Sequence, residues 1–187
     1  MQEATAQILT EWESFYIIIG AAAGALTGLT FVVITLVTDI QQRRGADAAI
    51  AAFTTPTIVH FGAVLLITAI LSAPWRVLWP LGLLLGAAGL GGVGYVLIIL
   101  RRARRQDAYQ PVLEDWLWHI IFPFMAYISL VIVMIALPSR PVSSLFVVAI
   151  VSTLLLFVGI HNSWDNITYI ATQGIQTENK SQDQTGD

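Results

Sequence analysis

The chain has 187 residues, 56% of them hydrophobic and 11% charged, with a net charge of −3 and no cysteine. A soluble domain usually carries about 25% charged residues, so the composition excludes that class. The missing thiols exclude disulfides, thiolate zinc sites and iron–sulfur clusters. The few basic residues cluster in short loops, which makes nucleic acid an unexpected partner.

Met1 to Ser14 carries Glu3, Glu11 and Glu13 without a positive n-region, so it does not read as a cleavable signal peptide. Span one is expected over about Phe15 to Thr38, with Trp12, Phe15 and Tyr16 at the interface. Gly20, Ala21, Gly24, Ala25 and Gly28 form a stripe of small residues that admits a second backbone. Packing within the chain is the preferred use of that stripe, and a homo-oligomer seam the alternative. Gly45 is suited to ending this helix and Asp47 to capping the next.

Span two is expected over about Ala49 to Ala73, with Pro56 a point to kink or restart it and His60 one turn further on. Trp75 and Arg76 mark a tight turn before span three, Val77 to Leu100, whose glycines give it a close-packing role. Arg101, Arg102, Arg104 and Arg105 follow in a polar loop. Span four starts near Glu114, Asp115 and Trp116 and ends at Leu137; Pro123 within it frees the carbonyl of His119. Span five runs from about Ser144 through His161 and Asp165, which lie four apart on one helix face.

The expected fold is therefore all-α, an integral membrane bundle of five transmembrane helices. Residues 1–172 form one domain, and 173–187 a polar, disordered tail. Arg43 and Arg44 lie between spans one and two and four more arginines between spans three and four, so those loops are assigned to the cytoplasm. The N-terminus is then outside, the C-terminus inside, and the location a bacterial inner (plasma) membrane. The lipid bilayer is the expected partner, with a homo-oligomer or a larger membrane protein as further partners.

This orientation brings the chain's three histidines to one depth. His60 and His119 fall roughly 5–6 Å inside the inner hydrocarbon face, and His161 roughly 24 Å from the outer face of a core about 30 Å thick. Asp39, Glu114, Asp115 and Asp165 reach the same level or just beyond it. Imidazoles with carboxylates suit a divalent transition metal, zinc or iron before others. His60, His119 and His161 are the expected ligands, with Asp165 and Asp115 as ligands or orienting partners. Glu114 or Asp39 would serve as general base toward a membrane-soluble substrate. Haem b between His60 and His119 is a second choice of cofactor.

The competing reading is a structural subunit or an oligomeric channel packed through the glycine stripes, with the histidines as interhelical hydrogen-bonding groups. A proton-coupled transporter is disfavoured, because no charged residue lies near the midplane. Thr27, Thr30, Thr68, Tyr127, Ser129, Ser152 and Thr153 supply the hydroxyls at intermediate depth.

Overall fold

The fold is a computed structural model. It describes the backbone of residues 2–42, 49–103 and 116–185, and the side chains of 7–35, 57–101, 116–165 and 167–168. Among the described residues, five α-helices make up the bundle: α1 Gln2–Gln42, α2 Ala49–Leu71, α3 Leu78–Ala103, α4 Phe122–Ala136 and α5 Pro141–Thr185. A π-helical turn, Leu117–Ile121, leads into α4. No strand occurs among the described residues.

A helix satisfies its backbone groups internally, which is what an apolar chain in lipid requires. Several hydroxyls make the same economy. Thr27 Oγ1 donates to Ala23 O at 2.7 Å, Thr30 to Leu26 O at 2.8 Å, Ser152 to Val148 O at 2.8 Å and Ser129 to Met125 O at 2.7 Å. Hydroxyls spent on their own helices in this way are poor lining for a polar pore.

Among the described residues, four stretches are long and apolar enough to cross a membrane: Gln7–Thr35, Leu78–Arg101, Leu117–Ala136 and Pro141–Asp165. In α2 the described apolar stretch is the shorter Thr57–Leu71. The helix backbone there runs unbroken through Pro56, the expected restart. At the other end of the chain, α5 continues as helix through the polar residues beyond 172 to Thr185.

Helix directions follow from paired contacts. A Cβ on Gly20 would meet Thr68, and one on Gly24 would meet Leu65, so α1 and α2 are antiparallel. Tyr16 Oη donates to Leu145 O at 3.1 Å and Trp12 packs edge-on to Phe146 at 4.6 Å, so the starts of the apolar stretches Gln7–Thr35 and Pro141–Asp165 lie at one end and α1 and α5 run parallel. The most extensive pairing joins α3 to α4. There Gly82, Gly86, Gly89 and Gly92 admit Met134, Leu130 and Tyr127. Gly89 is the tightest backbone approach: an added Cβ would stand 2.8 Å from Tyr127 O. Gly28, Gly62, Gly91 and Gly94 have nothing within 4 Å.

Burial grades the helices. Of the most apolar window in each span, 56% of α5 is buried but only 6% of α1. α5 is thus the central post, and α1 lies on the rim. On α2 the buried positions are Thr57, His60, Phe61, Val64, Ile67, Thr68 and Leu71, a spacing of three and four that defines one inward face.

A buried polar chamber around His60

Every described polar side chain within the apolar stretch of α2 lies on that inward face, since lipid offers no hydrogen bonds. His60 is completely buried, and its Nδ1 lies 3.0 Å from the hydroxyl of Tyr127 on α4. The Tyr95 ring of α3 stands edge-on to the imidazole at 6.4 Å. Three helices therefore meet at this ring. The opposite nitrogen, Nε2, is buried without a hydrogen-bond partner.

Two more buried side chains share that condition. Thr57 Oγ1 and both amide atoms of Asn162 have no partner, at 1% and 2% exposure. Thr57 is one turn before His60 on the same face of α2. Asn162 is one turn beyond Gly159, the glycine that receives the Phe61 ring from α2. Because α2 and α5 run in opposite directions, Asn162 and Thr57 lie toward the same end of the bundle. An unpaired buried polar group costs about 1–3 kcal/mol, and native structures usually fill such places with water or an ion. Unsatisfied polar atoms on α2 and α5 thus gather toward one end of the bundle, where with α4 they could line a polar chamber.

His119 lies in the π turn, within electrostatic range of His60. Pro123 accounts for the turn. It has no N–H to offer the preceding carbonyls, so the hydrogen-bond register widens by one residue and Phe122 N–H reaches back to Leu117 O. The disturbance expected at Pro123 thus takes the form of a local change of register, with His119 inside the π turn.

His161 is placed differently. Its ring stacks on Trp118 with centroids 4.0 Å apart, and its Nδ1 lies 2.9 Å from Asp165 Oδ2. That is ion-pair distance, off the line of a hydrogen bond. Sequence spacing thus joins His161 to Asp165, and the fold adds His119 near His60. No group of three or more His, Asp or Glu able to hold a metal occurs among the described residues, where His60, His119, His161 and Asp165 all fall. Glu114 and Asp115 lie outside the described residues, as does the side chain of Asp39.

Sequence reasoning missed Tyr127 and Asn162 as members of this site. The available signal was their polarity inside apolar runs; what could not be seen was which way each helix is turned. Comparison with protein-family models, curated proteins and solved structures found no match.

Proposed function

We propose that the protein is a five-span, multi-pass inner-membrane protein with its arginine-rich loops in the cytoplasm. Its working part is the chamber around His60, which holds a hydrated divalent transition metal. The supporting observation is the condition of His60: fully buried, one nitrogen held by Tyr127, the other without a protein partner. Metal-bound imidazoles are commonly fixed in this way through their second nitrogen. With Nδ1–H donated to the Tyr127 oxygen, the Nε2 lone pair is left for the ion. His119, which acts on His60 electrostatically, would be the second imidazole, and the unpartnered Thr57 and Asn162 side chains would hold waters of the ion's shell. Such a centre would activate bound water toward a membrane-soluble substrate. The carboxylate and general-base parts expected of Asp115, Glu114 and Asp39 are not needed for this reading.

A second reading is a purely structural bundle whose chamber holds water alone. It is favoured by His161, which is engaged with Asp165 and Trp118 at the chamber's edge. Elemental analysis of the detergent-purified chain separates the two. The first reading expects about one metal per chain, lost in His60→Ala and kept in His161→Ala. A metal-free wild type establishes the second. A haem would appear as a Soret band in the same sample.

A further inference from the structure

At the end of the bundle away from His60, a cavity of about 390 Å³ opens between the first turns of α1 and the turn joining α2 to α3. Its size suits a small ligand. Glu13 and Arg76 both line it, and no ion pair engages either among the described residues. Two opposite charges thus face one cavity without neutralising each other.

The wall between them adds to the pattern. Leu71, Ser72, Ala73 and Pro74 bring the C-terminal end of α2 to the cavity. Helix C-termini carry partial negative charge. That partial charge adds to Glu13 as a cation-attracting element of the cavity, and Arg76 is its anion-attracting one. Trp75 is fixed in the wall, its indole N–H donating to Ile70 O at 2.6 Å. Tyr16, also in the wall, is held by Leu145 O. Two of the cavity's aromatic side chains are therefore already locked in place.

Its position indicates where the ligand comes from. Trp12, Phe15, Tyr16, Trp75 and Phe146 gather at this end, as aromatic residues do at a membrane–water boundary. Just deeper on α1, Ile17 and Ile18 are exposed and offer an apolar path for acyl chains.

We propose that this cavity binds the zwitterionic headgroup of a membrane phospholipid, its ammonium toward Glu13 and the end of α2 and its phosphate toward Arg76. The site is independent of the chamber around His60. The test is native mass spectrometry of the full chain released from mixed micelles containing equal phosphatidylethanolamine and phosphatidylglycerol. Wild type should retain one phosphatidylethanolamine per chain, at least fivefold over phosphatidylglycerol. Glu13→Gln should abolish that preference, and Arg76→Gln should lower retention of both lipids. Both positions are exposed, so helix content by circular dichroism should be unchanged and the variants comparable. Equal retention of the two lipids by wild type, or an undiminished preference in Glu13→Gln, would overturn the proposal. So would free O-phosphoethanolamine binding as tightly as the lipid, since the ligand would then be a soluble zwitterion.

Discussion

Tyr127 and His60 meet at 3.0 Å inside the bundle although 67 residues separate them in the chain. This contact ties α2 to α4 through polar atoms of two buried side chains, so both residues have more to lose than a surface pair. Tyr127→Phe leaves both imidazole nitrogens without a protein partner and should destabilise the protein by about 1–3 kcal/mol, read as a lowered Tm in detergent. His60→Leu removes the buried polar group altogether and should cost less stability than Tyr127→Phe, while eliminating any bound metal. The reverse order of stability would show that the ring is more than a hydrogen-bonding partner to the bundle.

The glycines of α3 and α1 should behave oppositely. Gly89→Ala places a methyl 2.8 Å from a backbone oxygen of α4, and overpacking of this kind costs about 1–3 kcal/mol. Gly28→Ala meets nothing within 4 Å and should stabilise α1 by roughly 0.5–1 kcal/mol. Thermal unfolding of the two variants in one detergent checks both signs.

Asp165 lies 2.9 Å from His161, but both side chains are partly exposed, at 45% and 22%. Exposed pairs contribute about 0–1 kcal/mol, so Asp165→Asn should leave the Tm nearly unchanged. Metal content should also be unaffected if His60 is the principal ligand; its loss in Asp165→Asn would return Asp165 to the ligand set.

Pro123→Ala restores an N–H at the start of α4. The π turn should then tighten to ordinary α-helix, turning the residues before it by roughly 100° relative to α4. The chain has no cysteine of its own, so a single Trp118→Cys can report the change. Its reactivity toward a thiol reagent should differ at least threefold between the wild-type and Pro123→Ala backgrounds.

The same cysteine-free background tests the membrane topology. Ser139→Cys, in the exposed turn between α4 and α5, should be labelled from outside intact cells. Gln42→Cys, near the other end of α1, should be labelled only after permeabilisation. Labelling of both from one side would remove the proposed orientation.

The all-helical class and the places of two turns could be read from apolar run lengths and punctuation: Pro138 to Pro141 and Trp75 with Arg76 mark turns the structure also has. Rotation could not. α2 is apolar nearly all round, so nothing in its pattern singles out the face holding Thr57, His60 and Thr68, except that these are its polar members. An expected depth for each histidine concerns distance along the membrane normal and says nothing of direction around it. The π turn was also hidden. Pro123 announces a disturbance, yet whether a helix kinks, breaks or widens its register depends on neighbours that only the packed bundle supplies.

The central helix is also the last of the described spans to be made. Spans emerge from the ribosome in order, so α1 to α4 reach the lipid before the strut that fills their middle exists. Until α5 arrives, Phe61 lacks the groove at Gly159 and the Tyr16 hydroxyl lacks the carbonyl of Leu145. A nascent chain stopped short of residue 145 would hold an unfinished assembly with polar groups facing lipid, the kind of intermediate that quality-control proteases remove.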